Sequence, residues 1–149
     1  MAHPFRLQRL LDYRRRLEDG QALALAEATA EECRVRNAIA MLERQREEQT
    51  AALGTLLGGG VFGAEEYSRR AAFLDAAARA LEVEAEALKA AAAHVVESRQ
   101  ALVEALKDRR VLERLRDRQA EAAGVEDGRR EARETDDMVT ARRQRAQRT

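Results

Sequence analysis

Few residues in this 149-residue sequence are of the types that carry out chemistry. His3 and His94 are the only histidines, and neither has a second ligand at metal-site spacing on the same helix face. Cys33 is the single cysteine and has no neighbouring histidine that could activate it as a nucleophile. We therefore expect no metal, no cofactor, no catalytic residue and no intramolecular disulfide.

Two further patterns could in principle form a site. The adjacent acids Glu31 with Glu32, and Glu65 with Glu66, would act as general acid and base only in a concave, water-excluding pocket. The glycines at 58–60 could cradle a phosphate, but a phosphate loop needs a following Gly-Lys pair, which this chain lacks. We predict solvated carboxylates, a plain turn, and a protein that is not an enzyme.

The elements that position these residues are predicted by the glycines. Five of the eight glycines lie within residues 54–63, between long segments rich in alanine, leucine and charge. A glycine costs about 1 kcal/mol relative to alanine in a helix interior, so this cluster predicts a turn. We predict a single all-α domain, an antiparallel two-helix coiled-coil hairpin. Its first helix spans about 5–53, its turn 54–63, and its longer second helix about 64–145.

Composition supports this fold class and narrows the partners. Charged residues make up 36% of the chain and aromatic residues only 3%, which is typical of a coiled coil rather than a globular core. The formal net charge is zero, which argues against a nucleic-acid partner. No apolar run approaches 18 residues, and the N-terminus lacks the apolar stretch of a secretory signal. We expect no direct membrane insertion and a cytoplasmic location.

Heptad spacing predicts which residues face the partner helix. In the first helix the best seam is Leu25, Ala28, Val35, Ile39, Leu42, Leu53 and Leu56, with Glu32, Arg46 and Gln49 at intervening positions. In the second helix, large residues recur every seven positions at Tyr67, Leu74, Leu81, Leu88, Val95 and Leu102. Alanines follow four residues later at Ala71, Ala78, Ala85 and Ala92. After Leu102 the seam is expected to shift to Ala105, Leu112 and Leu115, which leaves Arg109 out.

The two predicted helices differ in length, so part of the second has no partner within the chain. Folding at the turn would bring Leu42 near Ala77 and Leu11 near Asp108, and would leave the second helix unpaired beyond about Arg116. We expect this distal part to be the least stable.

The distal part also carries Gly124 and Gly128, which are expected to weaken a continuous helix. Four arginines and no acid follow Met138, so both ends of the chain are arginine-rich.

Four sequence features occur in a fixed order along nearly the whole chain. They are FRLQRLLDYR at 5–14, Tyr67 with Phe73 and Leu74 after the glycine-bearing turn, ALKDRRVLERLRDR at 105–118, and the acidic pair at 136–137. In this order and spacing they resemble the FliJ family, the small coiled-coil components of the bacterial flagellar type III export apparatus.

The resemblance implies a non-enzymatic, rod-like stalk that binds the flagellar export ATPase and promotes its ring assembly. It also implies contact with the cytoplasmic domain of the export-gate membrane protein, and an escort role for flagellar export chaperones. The implied location is peripheral, at the inner face of the cell membrane beside the flagellar basal body.

The resemblance also implies two partner-binding regions. The residues expected on the ATPase side are Phe5, Leu10, Leu11, Arg14, Arg118, Arg142 and Arg143. The residues expected on the gate side are Leu42, Tyr67, Phe73 and Ala77. Ordinary packing within the chain is the competing explanation for each of them.

Two other functions stay open on the sequence alone. The chain could be the equivalent stalk protein of a virulence-type III secretion system, which only its cognate ATPase or neighbouring genes would separate from a flagellar role. It could also be a self-associating structural coiled coil, which would need a second apolar stripe on the outer helix faces.

Overall fold

The computed structural model describes residues 4–60 and 63–148, which form two α-helices and no strand. Helix α1 spans Gln8–Gly58 and helix α2 spans Ala64–Gln147, with lengths of 51 and 84 residues. The predicted all-α hairpin with a longer second helix is confirmed. His3, Val61 and Phe62 lie outside the described residues.

The turn is shorter than the glycine cluster predicts. Helix α1 continues through Gly54 to Gly58, because Leu53 and Leu56 are half-buried and their packing offsets the low helix propensity of glycine. Gly60 has a φ of 74° and is the one described residue with positive φ. A glycine in this left-handed conformation commonly ends a helix.

Helix α2 begins with favourable end chemistry. The Tyr67 amide donates a hydrogen bond of 3.1 Å to the Gly63 carbonyl, and Glu65 and Glu66 occupy the first turn. Negative charge there complements the positive end of the helix dipole.

The distal glycines do not interrupt α2. Gly124 and Gly128 both lie inside α2, which runs without a break to Gln147. Alanines and charged residues with good helix propensity surround the two glycines and outweigh their cost.

The chain divides into two compact units. The terminal unit joins Met1–Asp19 to Glu104–Thr149, and the central unit is Gly20–Val103. Each unit contains a segment of α1 and a segment of α2, and within each unit these segments run antiparallel.

In the central unit the α1 seam follows the predicted heptad. Ala28 and Val35 are buried there, whereas Arg46 is exposed. The predicted alanine row of α2 is wrong at Ala78 and Ala85, which are exposed, whereas Ala71 and Ala92 are half-buried. The buried small residues of α2 are instead Ala77, Ala91 and Ser98. They lie three residues after the large seam residues, not four. Alanines occur at both distances, so the sequence alone does not show which of the two sets faces α1.

In the terminal unit the original seven-residue frame of α2 persists. Leu11 of α1 is fully buried and Leu112 of α2 is 8% exposed. Leu115 is 43% exposed, so the predicted shift of the seam onto it is wrong. Arg109 keeps the seam position because its guanidinium group pairs with Glu18 of α1.

Within residues 4–60 and 63–148, neither helix contains a segment long and apolar enough to cross a membrane.

Candidate partner-binding surfaces

A cluster of charged side chains lies between α1 and α2 in the terminal unit. Arg109 of α2 donates from Nε to the Glu18 carboxylate of α1, and its Nη2 lies 3.4 Å from Glu18 Oε1. Its Nη1 donates to Glu113 Oε2 at 2.6 Å. The side chains of Arg109, Glu18 and Glu113 are 21%, 20% and 25% exposed, so water reaches them only partly.

Two more ion pairs extend this cluster across the helices. Arg15 Nη2 lies 3.3 Å from Glu113 Oε1, and Arg14 Nη1 lies 3.0 Å from Asp108 Oδ2. We call the six residues the charge cluster: Arg14, Arg15, Glu18, Asp108, Arg109 and Glu113.

The charge cluster shifts the ionisation of its own members. The hydrogen bond from Arg109, and a second one from Arg15, lower the pKa of Glu113 below its usual value. The hydrogen bonds to Glu18 and Glu113 raise the pKa of Arg109. Both groups therefore stay charged at neutral pH. Three ion pairs of the cluster join α1 to α2: Arg14 with Asp108, Arg15 with Glu113, and Glu18 with Arg109.

The terminal unit also contains a groove of about 400 Å³ that is lined by residues of both segments. We call it the terminal groove; its lining residues are Phe5, Arg6, Leu7, Leu115 and Gln119. Leu7 and Leu115 are 37% and 43% exposed, which leaves large apolar side chains open to a partner.

The two helix segments that form the terminal groove are rich in arginine. Within the described parts of 4–19 and 104–120, the exposed arginines that make no ion pair are Arg6, Arg9, Arg16, Arg110, Arg114 and Arg118. Of the acids in the same two segments, Asp19 alone has no hydrogen bond or ion pair to another described residue. The charge that remains available to a partner is therefore positive.

The residues expected on the ATPase side occupy different environments. Phe5 lines the terminal groove, and Leu10 is 39% exposed. Leu11 is fully buried between the helices, and Arg14 is engaged with Asp108. Arg118, Arg142 and Arg143 are exposed, and the last two lie far along α2 from the groove.

The central unit has a groove of its own. It has a volume of about 200 Å³, and we call it the loop-side groove; its lining residues are Leu42, Gln45, Phe73, Ala76, Ala77 and Ala80. Phe73 is 40% exposed, so its ring is open to solvent on one side. Phe73 also lines a second, more polar groove of about 320 Å³, where Arg70 donates to Gln49 at 2.8 Å and to Glu66 at 2.9 Å.

Three of the four residues expected on the gate side meet at the loop-side groove. Leu42, Phe73 and Ala77 line it together, which agrees with the predicted proximity of Leu42 and Ala77. Ala77 is only 5% exposed, so it packs in the seam beneath the groove and offers little surface to a partner. Tyr67 is 40% exposed and lines neither of the two grooves that contain Phe73.

The sequence assigns Leu115 to the seam, so it does not reveal Leu115 as a lining residue of the terminal groove. The signal was available in the heptad: a frame that continues through Arg109 and Leu112 leaves Leu115 outside the seam. Arg109 at a seam position suggested that the heptad frame changes there. The frame in fact continues, and Arg109 fits in the seam because it pairs with Glu18 of the other helix.

The histidine and cysteine residues considered for chemistry form no metal-binding cluster among the described residues. Among the described residues, no group of three or more His, Cys, Asp and Glu side chains could hold a metal ion. Cys33 and His94 are both exposed. Val95 next to His94 is buried in the seam, which places the imidazole on the outer side of the helix.

No curated protein and no solved structure shows significant similarity to this chain. The model of the flagellar FliJ protein family matches residues 3–148, which is essentially the full length. The chain therefore belongs to the flagellar FliJ protein family and is a component of the flagellar export apparatus.

Proposed function

We propose that this protein binds the flagellar export ATPase through the terminal groove and promotes assembly of its ring. We further propose that the loop-side groove contacts the cytoplasmic domain of the export-gate membrane protein, and that the protein escorts empty export chaperones. In this role the protein acts without catalysis and is held at the inner face of the cell membrane through its partners.

The observation that carries the ATPase proposal is the combination of apolar and basic surface at the terminal groove. Leu7 and Leu115 are exposed on the two sides of one groove, and the exposed arginines of the same two segments make no ion pair within the described residues. A few well-packed, desolvated side chains supply most of the binding energy in protein interfaces, while surrounding charges set partner choice and association rate. The matching surface on the ATPase is therefore an apolar contact among carboxylates.

The gate proposal is supported by Phe73. Its ring lines both an apolar groove and a more polar one. The side chain is 40% exposed, and it is one of only 3 phenylalanines in the chain. Aromatic side chains are enriched at protein interfaces, where those that become fully buried on binding often act as energetic anchors. The alanines beside it leave room for a side chain of the partner.

The ATPase proposal is tested by mixing the purified full chain with the cognate flagellar export ATPase. Light scattering measures the mass of the complex and a coupled assay measures ATP turnover. We expect a ring-sized complex with faster turnover, and the loss of both with Leu7→Glu combined with Leu115→Glu. The matched control is Leu23→Glu, which changes a residue that is 62% exposed and lines none of the grooves described above.

The same measurement separates the two other functions considered from the sequence. A stalk of a virulence-type III secretion system would bind and stimulate the ATPase of that system and not the flagellar one. A self-associating coiled coil would scatter light as a dimer or larger species with no ATPase present, and would not change ATP turnover.

A further inference from the structure

We propose that Arg69 selects the gate-side partner by pairing with a carboxylate of that partner, beside an apolar side chain that packs on Phe73. The occupant is an amphipathic segment of the cytoplasmic gate domain. Its apolar side chains lie along the loop-side groove, and its acid lies at the end nearest Ala64. This inference deepens the proposed gate contact and rests on it.

The two grooves that contain Phe73 adjoin each other at its ring. The loop-side groove is apolar and rich in alanine. The second groove carries charged and amide side chains, and we call it the polar groove; its lining residues are Gln49, Glu66, Arg69, Arg70 and Phe73. Both grooves lie within the central unit. A single partner segment can therefore reach both.

One face of α2 lines both grooves. Four lining residues are spaced by four, three and four positions, which places them in one row: Arg69, Phe73, Ala76 and Ala80. The row covers about three helical turns, or roughly 16 Å at 1.5 Å per residue. The alanines extend no long side chain over the groove, so a partner backbone can approach α2 closely.

The wall formed by α1 changes in polarity in the same direction. Leu42 lines the loop-side groove, whereas Gln49, seven residues later, lines the polar groove. Because the two helix segments are antiparallel, Leu42 lies towards Ala80 and Gln49 towards Arg69. A polar group that loses water without a partner is costly. The segment that fills both grooves must therefore carry apolar side chains at one end and a polar or charged one at the other.

Arg69 and Arg70 differ in the partners that they already have within the chain. Arg70 donates from Nη1 to Gln49 at 2.8 Å, and from Nε and Nη2 to Glu66 at 3.3 Å and 2.9 Å. Arg69 is exposed and makes no hydrogen bond or ion pair with any described residue. Glu65 lines a neighbouring groove together with Arg69 but does not pair with it. The unpaired charge beside Phe73 is therefore positive.

A carboxylate is the anionic group that this position suits. The planar guanidinium group can donate two parallel hydrogen bonds to a carboxylate, which makes the contact directional as well as charged. An apolar side chain packed on Phe73 would exclude water beside this pair. A cation in the same place would meet Arg69 with a like charge, so Arg69 favours one kind of partner and rejects another.

Calorimetric titration of the full chain with the cytoplasmic gate domain tests this inference. Arg69→Glu should weaken binding by about tenfold or more, because it opposes the partner's carboxylate with a like charge. Helicity and the melting temperature should change little, since Arg69 has no partner within the described chain. Undiminished affinity of this variant would overturn the inference.

The matched control is Arg99→Glu, which makes the same change in net charge. Arg99 is an exposed residue of α2 that makes no ion pair within the described residues and lines none of the grooves described above. Its variant should keep the affinity of the unchanged chain. Equal weakening by both variants would show an effect of net charge alone and would contradict the role of Arg69.

The salt dependence of binding gives a second readout. The affinity of the unchanged chain should fall as salt is raised from about 50 to about 300 mM, because salt screens a pair at the rim of an interface. Arg69→Gln removes the charge and should make this dependence shallower. An identical salt dependence for the two chains would contradict the pairing.

A charge exchange identifies the carboxylate on the partner. Each exposed Asp and Glu of the gate domain is replaced in turn by Lys, and each variant is titrated with the unchanged chain and with Arg69→Glu. We expect one replacement to weaken binding of the unchanged chain and to restore binding of Arg69→Glu. If no replacement restores it, the inference is overturned.

Phe73→Ala separates failure of this inference from failure of the proposed function. If the unchanged chain does not bind the gate domain, the proposed gate contact fails, and the role of Arg69 fails with it. If Phe73→Ala weakens binding and Arg69→Glu does not, the gate contact stands and only the inference about Arg69 is overturned.

Discussion

Arg109 and Glu18 pair across the two helices at positions that the heptads of both helices assign to the seam. Glu18 precedes the seam residue Leu25 by seven residues, and Arg109 follows Leu102 by seven. Each side chain is about one-fifth exposed, and the guanidinium group is shared with Glu113. The charged pair therefore keeps the heptad frame continuous where the sequence suggests that it shifts.

Leu11 and Leu10 should respond differently to truncation. Leu11 is fully buried, so we expect Leu11→Ala to lower the free energy of unfolding by about 2 to 5 kcal/mol through a cavity in the seam. Leu10 is 39% exposed, and Leu10→Ala should change it by no more than about 0.5 kcal/mol. Urea unfolding followed by circular dichroism measures both. Equal losses would show that Leu11 is not a packing residue.

Acid should weaken the terminal unit through Glu113. Its pKa is lowered in the folded chain by the hydrogen bond from Arg109, whereas the unfolded chain has the usual value near 4.5. The ionised carboxylate therefore stabilises the fold fully above the unfolded pKa. This stabilisation is lost as pH falls through the folded pKa.

Thermal melts from pH 7 to pH 3 check this dependence. The unchanged chain should lose more stability on acidification than Glu113→Gln, which has no carboxylate to protonate. The control is Glu97→Gln, a mid-helix carboxylate that is exposed and makes no ion pair within the described residues. Identical pH profiles for Glu113→Gln and the unchanged chain would rule out the assigned role of Glu113.

The distal glycines offer a test of local helix stability. No atom lies within 4 Å of a Cβ built at Gly124 or Gly128, so alanine fits there without a clash. Gly124→Ala and Gly128→Ala should each stabilise this part of α2 by up to about 1 kcal/mol. Amide hydrogen exchange of residues 120–132 measures the gain directly. Gly60→Ala is the contrasting variant, because a φ of 74° should make alanine costly by about 1 to 2 kcal/mol.

Phe73 is expected to act in binding rather than in folding. Phe73→Ala should weaken binding of the cytoplasmic gate domain by about 2 kcal/mol or more, as truncation of an interface anchor does. Calorimetric titration measures the affinity, and thermal melting should show little change in stability. Val83→Ala, at a residue that is 68% exposed and lines neither groove of Phe73, should leave the affinity unchanged. A large loss of stability without a loss of affinity would place Phe73 in the core.

The sequence predicts the fold well because the strongest signals are local. Glycine clustering locates the connection, and heptad spacing identifies Ala28 and Val35 as buried. Two features depend on the partner helix and were predicted wrongly. The α2 frame could not be chosen between Ala77 and Ala78 by residue type alone, and the place of Arg109 depends on Glu18, which lies 91 residues away in sequence.

The candidate surfaces were predictable only in part for the same reason. Phe5, Leu42 and Phe73 were identified from the sequence and line the two grooves. Leu115 was assigned to the seam, and its exposure appears only when the register of α1 against α2 is known. Surfaces made by two segments depend on pairing, which heptad spacing defines only to within a multiple of seven residues.

The terminal groove is the surface that we propose meets the export ATPase. Amide hydrogen exchange of the full chain, measured with and without the cognate ATPase, tests it most directly. We predict added protection at residues 8–19 and 108–119, with residues 66–80 unchanged. Protection confined to residues 66–80, or no protection under conditions where a complex has formed, would contradict the claim.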